Sequence, residues 1–289
     1  MKVVLAKEMG FCFGVRRAVE LVEQTVAERG HLCVLGELVH NKQVVQRLEV
    51  AGVKTVREVA DVDDDTVVIA THGAPAEVFE KARERGLRVI DATCPYVRVI
   101  QQKARRLSDS GFEVVLLGDR GHTEVQGIVG WARGVVHVVA GAAELGDVLP
   151  VEEKPRKTAR KIAFLSQTTQ SLAAFQELIV RAAHIYLKTT SEMSVHNTIC
   201  DATALRQQAA MSLASRCDVV IVVGGRDSAN TKRLVELCAQ TGVRVYQIEV
   251  ADGLNPLWFE GARVVGLTAG ASTPDWIISE VQRSIEELK

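Results

Sequence analysis

Short apolar runs rich in Val and Ile alternate with amphipathic helical patterns over nearly the whole chain. Ten such runs occur: KVVLA, LCVLG, TVVIA, RVIDA, EVVLLG, VVHVVA, KIAFL, DVVIVVGG, RVYQIE and RVVGLTAG. A strand that is apolar throughout must be buried on both faces, which is typical of parallel sheets covered by helices. We therefore predict an α/β fold. The predicted helices include Val15–Arg29, Val97–Ser108, Leu172–Leu187, Thr231–Thr241 and Pro274–Leu288.

Two local patterns each recur three times along the chain. The segments Val67–Val78, Val114–Val125 and Val219–Leu234 pass from an apolar run through a Gly-containing polar loop into a predicted helix. A thiol in a tight polar segment recurs as GFCFG, DATCP and NTICDAT. We interpret this recurrence as three similar α/β domains with boundaries near residues 95 and 193. The predicted domains are 13–95, 96–193, and 194–289 together with 1–12.

Charge and hydropathy limit the classes of partner. The chain of 289 residues has a formal net charge of −1 and a pI near 6.7, so no basic field attracts nucleic acid or an anionic membrane. The N-terminus has only a short apolar run before Lys7, and no stretch approaches about 18 apolar residues. We expect a cytoplasmic protein with a small-molecule partner, no nucleic acid and no membrane. The most polar segment, Pro150–Lys161, is predicted to be a surface excursion.

The six cysteines divide into two groups by their surroundings. In a cytoplasmic protein they stay reduced, so their even number does not indicate disulfides. Apolar segments surround one group, which we expect to serve packing: Cys33, Cys217 and Cys238. Loop-like segments with Gly, Pro, Thr and Asp surround the other: Cys12, Cys94 and Cys200. Since no CxxC pair occurs, a zinc ribbon and a dithiol redox pair both lose support.

Three options remain open for the loop cysteines on these grounds. One is a catalytic cysteine with two bystanders, and another is a zinc site completed by histidine. The third is an iron–sulfur cluster with an incomplete set of thiolates. A [4Fe–4S] cube normally takes four thiolates, so three would leave one iron open to a substrate oxygen.

Polar side chains occupy the loops that follow the apolar runs. They are His40, Asn41, His72, His122, Glu124, Thr168, Thr169, Ser228, Asn230 and Ser272. Ligands of α/β folds bind at the carboxyl ends of strands, and loops that enter helix N-termini suit phosphate oxygens. We predict one shared anion pocket, compatible with a diphosphate. Neither GxxxxGK[ST] nor GxGxxG is present, which disfavours the usual nucleotide-phosphate loops.

Glu124 is the carboxylate of these loops that closely follows a predicted strand. In a closed site its pKa would rise and it could deliver a proton, with Thr168 relaying protons or orienting a substrate. A first-turn helix glutamate is an equally good interpretation. A zinc-dependent hydrolase of a phosphorylated small molecule, using His40, His72, His122 and Glu124, is the alternative function. A non-catalytic iron–sulfur sensor or electron carrier is a third, which leaves the anion pocket unexplained.

Nine segments in order closely resemble the 4-hydroxy-3-methylbut-2-enyl diphosphate reductase family, whose members act last in the non-mevalonate isoprenoid pathway. The segments are GFCFG, LVHNK, THGAP, DATCPYV, GHTEVQG, SQTT, TICDAT, GGRDSANT and GAST. The resemblance spans residues 10–275. It implies three α/β domains in a pseudo-threefold trefoil around a central [4Fe–4S] cluster. With neither a plastid-type N-terminal extension nor an appended C-terminal domain, a compact bacterial-type enzyme is expected.

The resemblance also implies roles for individual residues. Cys12, Cys94 and Cys200 would ligate the cluster, and its open iron would take the substrate's allylic hydroxyl. Glu124 would be the proton donor, with Thr168 close to that hydroxyl. The implied diphosphate-binding residues are His40, His72, His122, Ser228, Asn230 and Ser272. Some family members have a second Ser where this chain has Ala229, so one hydroxyl contact to the diphosphate would be missing.

The implied reaction is a reductive dehydroxylation, which makes the chain an iron–sulfur oxidoreductase. Two electrons and two protons remove the hydroxyl as water and yield isopentenyl or dimethylallyl diphosphate. Ferredoxin or flavodoxin is the implied electron donor.

Overall fold

The structure is a computed structural model, and it describes residues 1–150 and 160–288. These residues form twelve strands: β1 (Lys2–Leu5), β2 (Leu32–Leu35), β3 (Val53–Val56), β4 (Thr66–Ile69), β5 (Arg88–Asp91), β6 (Glu113–Leu117), β7 (Val136–Val139), β8 (Arg160–Ser166), β9 (Thr190–Val195), β10 (Val219–Val223), β11 (Arg244–Ile248) and β12 (Val264–Ala269). The predicted surface excursion at 150–161 lies mostly outside the described residues.

The same residues form ten α-helices: α1 (Phe13–Arg29), α2 (Lys42–Val50), α3 (Ala76–Glu84), α4 (Pro95–Asp109), α5 (Thr123–Trp131), α6 (Leu145–Val148), α7 (Leu172–Tyr186), α8 (Asp201–Ala214), α9 (Ala229–Ala239) and α10 (Asp275–Glu287). Each predicted helix coincides with one of them to within a turn.

The strands form three four-stranded sheets. The first sheet has the order β1-β12-β10-β11, the second β3-β2-β4-β5 and the third β7-β6-β8-β9. In the first sheet, each pair of neighbouring strands is parallel: β1 with β12, β12 with β10 and β10 with β11. In the second sheet, β4 pairs in parallel with β2 and with β5. In the third, β6 pairs in parallel with β7 and β8, and β8 with β9. The prediction of an α/β fold with parallel sheets is confirmed.

Helices bury both faces of the third sheet, which explains why its central strands are apolar throughout. Val115 and Leu117 of β6 pack toward α7, in a cluster that contains Phe164 and Leu178. Val114 and Leu116 point the other way, toward Ile100 of α4 and Ile128 of α5. Because successive side chains of a strand point to opposite faces, two helical layers require an unbroken apolar run.

The first sheet is covered in the same way. Alternate residues of β10 pack against α10, where Ile277, Val281 and Ile285 are fully buried. The intervening residues Val220 and Val222 pack against α8 and α9. At their carboxyl ends, β10 and β12 lead directly into polar loops that precede α9 and α10.

The described chain divides into two compact units. The first unit contains Met1–Gly30, Glu37–Val53 and the chain from Asp201 onward, with the first sheet. The second contains His31–Gly36 and Lys54–Cys200, and thus the second and third sheets. Val53, the first residue of β3, is the one residue of these sheets that falls in the first unit. The division into three domains with boundaries near residues 95 and 193 stays a prediction. Over the described residues, no helix combines the length and apolar character needed to cross a membrane.

Candidate functional site

In the first unit, Cys12 lies in the loop between β1 and α1 and directly precedes the helix. Its backbone N–H donates to the carbonyl of Ala271 at 3.0 Å, just beyond the carboxyl end of β12. The thiol is partly exposed. Cys12 is the N-cap residue of α1, so its thiol lies beside the first turn of a long helix.

A buried arginine holds the Cys12 loop in place. Arg206 of α8 is only 6% exposed, and its guanidinium donates twice to the Gly10 carbonyl, at 3.2 and 2.9 Å, and once to the Phe11 carbonyl at 3.2 Å. Gly10 has a φ of +76°, a conformation that L side chains rarely adopt. Sequence reasoning missed Arg206, although it is the only charged residue of α8 after Asp201, which was a usable signal.

Replacing Arg206 by Met should destabilise the protein by about 2 to 4 kcal/mol, because the buried Gly10 carbonyl and the partly buried Phe11 carbonyl lose a charged donor. We expect a lower Tm by calorimetry and a weaker hold on the Cys12 loop. Arg216→Met is the matched control: this exposed arginine follows the end of α8 and donates its Nε–H to the Ser212 carbonyl, and its loss should change stability by less than about 0.5 kcal/mol. Equal Tm losses in the two variants would contradict this role.

The backbone of His40 is fixed between the ends of β10 and β12. The hydroxyl of Ser272 donates to the His40 carbonyl at 3.1 Å. A Cβ at Gly225 would lie 2.6 Å from the same carbonyl oxygen, so only glycine allows this approach. Asn41 follows and caps α2, accepting from the N–H of Val44 at 3.0 Å. Ser272 thus uses its hydroxyl hydrogen to position His40.

At the N-terminus of α9, Ser228 and Asn230 present polar atoms. The Ser228 hydroxyl accepts from the N–H of Thr231 at 3.3 Å, which leaves its own hydrogen available to a ligand. Asn230 is 4% exposed, and neither atom of its amide has a hydrogen-bond partner within the described part of the chain. A buried amide without a partner is costly, and it is satisfied if a ligand binds there.

In the second unit, Glu124 and Thr168 form a buried pair. Glu124 in the first turn of α5 is 2% exposed. Its Oε1 accepts from the Thr168 backbone N–H at 2.7 Å, and its Oε2 accepts from the Thr168 hydroxyl at 2.7 Å. Burial raises the pKa of Glu124 to about 7, although both hydrogen bonds from Thr168 lower it; the charge of Asp119 raises it further. The carboxyl can therefore hold a proton near neutral pH.

His122 precedes Glu124 at the N-cap of α5. Its Nδ1 accepts from the backbone N–H of Glu124 at 3.1 Å. An accepting Nδ1 carries no hydrogen, so the neutral ring has its hydrogen on Nε2 and presents a donor there. The ring of His72 lies edge-on to it, with centroids 5.3 Å apart. These two histidines thus lie together at one end of the second unit.

Backbone hydrogen bonds also fix Cys94 and Cys200. The N–H of Cys94 donates to Thr71 at 2.9 Å, beside His72, and Cys94 is the N-cap of α4. The N–H of Cys200 donates to the carbonyl of Thr168 at 3.1 Å, and Cys200 directly precedes α8. One loop residue, Thr168, therefore contacts both a predicted cluster ligand and the predicted proton donor.

Gln167 is a second residue that sequence reasoning missed. Its Oε1 accepts from the N–H of Asp119 at 3.0 Å and so joins the end of β8 to the loop that carries His122. Its position next to Thr168 in SQTTQ was the available signal.

Comparison with known proteins places the chain in a family. The model of the LytB protein family matches residues 3–286. A protein of Geotalea uraniireducens named 4-hydroxy-3-methylbut-2-enyl diphosphate reductase is 46% identical over 288 residues, which are 100% of this chain and 98% of that protein. The protein of the same name from Geobacter metallireducens is 45% identical with the same coverage.

Two solved structures are similar over nearly the whole chain. One is described as (E)-4-hydroxy-3-methyl-but-2-enyl diphosphate reductase, the terminal enzyme of the non-mevalonate pathway; it is 40% identical, with 99% of this chain and 100% of that chain covered and a TM-score of 0.68. The other, a Plasmodium falciparum reductase of E-1-hydroxy-2-methyl-but-2-enyl 4-diphosphate, is 26% identical, with 99% and 87% covered and a TM-score of 0.89. The family model covers nearly the whole chain, and the relatives and solved structures agree with it. The chain therefore belongs to the LytB protein family.

Proposed function

We propose that the chain catalyses the reductive removal of the hydroxyl group of (E)-4-hydroxy-3-methylbut-2-enyl diphosphate. Two electrons enter and the allylic C–O bond breaks. One proton leaves with the hydroxyl as water, and the other is added to carbon, which gives isopentenyl or dimethylallyl diphosphate. Its relatives of 45% and 46% identity carry the name of this activity. The observation that carries the proposal is the buried Glu124–Thr168 pair.

Glu124 holds the proton that the departing hydroxyl needs. When Oε2 is protonated, it donates to the Thr168 hydroxyl, which can then donate its own hydrogen onward. The Thr168 backbone N–H keeps donating to Oε1, so the carboxyl group keeps its orientation in both protonation states. Because the site is buried, the proton is held near neutral pH and is kept from bulk water.

We propose Cys12, Cys94 and Cys200 as the ligands of a [4Fe–4S] cluster. Each precedes a helix, and the backbone N–H of each is hydrogen-bonded to another loop, which supports a fixed thiolate donor. The other cysteines fit less well, since burial raises the pKa of Cys217 and raises that of Cys238 to about 11. When bound, such a cluster supplies electrons and, at an iron without a protein ligand, Lewis acidity.

The diphosphate is proposed to bind to His40, His72, His122, Ser228, Asn230 and Ser272. Because Nδ1 of His122 accepts a hydrogen bond at the N-cap of α5, the neutral ring has its N–H donor at Nε2. Asn230 offers a buried amide that has no hydrogen-bond partner among the described residues. The N-termini of α5 and α9 add backbone N–H groups and favourable dipoles. Ser272 would act chiefly by positioning His40.

An anaerobic assay tests the proposal. Protein reconstituted with iron and sulfide should contain about four irons per chain. With the hydroxylated diphosphate and a reduced low-potential donor it should form isopentenyl and dimethylallyl diphosphate, detected by mass spectrometry. Reduced ferredoxin or flavodoxin should replace the artificial donor.

Two results would contradict it. Stoichiometric zinc, with phosphate release that stops on chelation, would indicate a hydrolase instead. A coloured, iron-loaded protein that consumes no substrate would indicate a sensor or an electron carrier.

A further inference from the structure

A group of metal-ligating side chains lies at the end of the second sheet opposite to the candidate site. His31 and Cys33 lie at the start of β2, and Asp63 lies shortly before β4. Since β2 and β4 run parallel, these residues share the amino-terminal edge of the sheet. His72 follows the carboxyl end of β4 instead. The group is therefore separate from the residues proposed for reduction.

The three donor atoms have the separations of a metal site. Cys33 Sγ lies 3.1 Å from Asp63 Oδ1 and 3.9 Å from His31 Nε2, and His31 Nε2 lies 3.4 Å from Asp63 Oδ1. Tetrahedral Zn²⁺ with ordinary Zn–S, Zn–N and Zn–O bonds places such donors about 3.3 to 3.6 Å apart. Small movements of the three side chains would admit the ion.

We propose that His31, Cys33 and Asp63 form a Zn²⁺ site, with water as the fourth ligand. One thiolate, one imidazole and one carboxylate are a donor set that Zn²⁺ accepts. The side chains of His31 and Asp63 are 47% and 54% exposed, so the ion and the water can enter from solvent.

Hydrogen bonds already orient two of the three proposed ligands. Lys54 Nζ donates to Asp63 Oδ2 at 2.5 Å, which leaves Oδ1 for the metal and fixes the orientation of the carboxylate. The Cys33 thiol donates to Asp63 Oδ1 in the structure. Binding therefore replaces the thiol hydrogen by Zn²⁺ and releases one proton to solvent.

The expected role is structural. The ion would tie the start of β2 to the loop before β4, two segments separated by about 30 residues in the chain. A ligand that binds only the folded chain raises its stability.

Zinc binding by the iron-loaded protein tests the proposal. After removal of any purification tag, the protein is dialysed anaerobically against buffered Zn²⁺, and zinc and iron are measured together. We expect one zinc per chain beyond the iron and a rise in Tm. His31→Ala should weaken zinc binding at least about 100-fold, with iron content and reductase activity unchanged. His31 is exposed, so its replacement should not prevent folding.

Cys33→Ser should weaken zinc binding likewise. Cys217→Ser is the matched control: Cys217 lies two residues before another buried strand, β10, and its replacement should leave zinc affinity unchanged. Zinc bound equally well by the wild type and by His31→Ala would overturn the proposal. So would the absence of tight zinc binding in the wild type. Both outcomes are independent of whether the chain reduces the allylic diphosphate.

Discussion

Glu124→Gln should lower the turnover number of the proposed reductase about 10²- to 10⁴-fold, while iron content stays at the wild-type value. The glutamine has the same shape and can still accept from the Thr168 N–H at Oε1, which is 2.7 Å away in the wild type. It cannot deliver a proton. Steady-state kinetics and iron analysis on the same preparation separate loss of proton delivery from loss of the cluster.

Glu77→Gln is the matched control. Glu77 is also the second residue of a nine-residue helix, α3, that follows a histidine-bearing loop. It is exposed at the surface and pairs with Lys81 at 2.6 Å rather than with a buried hydroxyl. Its replacement should leave turnover unchanged. Similar rates for Glu124→Gln and the wild type would remove Glu124 from the reaction.

The pH dependence gives the same test another readout. Since the pKa of Glu124 is raised to about 7, the folded protein holds this proton at pH values where an ordinary glutamate has lost it. The favourable contribution of the protonated form to stability is lost as pH rises through 7. Turnover should fall over the same range, and this alkaline limb should be absent in Glu124→Gln. Infrared difference spectra between the two proteins should show a carboxylic acid band that titrates near this value.

Cys94→Ser is expected to abolish stable cluster assembly. Iron should fall from about four per chain to well below one after anaerobic reconstitution, and turnover should fall to background. A serine hydroxyl remains protonated and is a poor ligand for iron–sulfur clusters, whereas the backbone that holds position 94 is unaffected because the bond to Thr71 involves main-chain atoms. Visible absorption and iron analysis measure the loss.

The control for that variant is Cys238→Ser. Cys238 is buried in α9, where its thiol donates to the Ala210 carbonyl, and burial raises its pKa to about 11. The Cys238→Ser variant should retain the full iron content. If Cys94→Ser also retained four irons, the proposed ligand set would be wrong.

The predicted strands show where sequence patterns suffice. All ten apolar runs contain a strand, and the central strands are apolar throughout because a strand covered by helices on both faces has no room for polar side chains. The two strands without a prediction, β3 and β9, are edge strands of their sheets. Both have exposed polar residues, so neither forms an unbroken apolar run. The other edge strands, β1, β5, β7 and β11, each contain an apolar run and were predicted, so the polar residues at the centre of β3 and along β9 are what hid these two strands.

The local sequence determined the α/β class and the loop position of the three candidate cluster cysteines, since these depend on burial patterns and residue types within a few positions. The choice of Glu124 as the candidate acid depended on the resemblance of the nine segments to a family. Only the tertiary structure decided how the side chains are used. It pairs Glu124 with Thr168 across 44 residues and sets Arg206 against Gly10 across 196. A pKa or a loop conformation depends on desolvation and hydrogen-bond partners, and folding supplies both from distant parts of the chain.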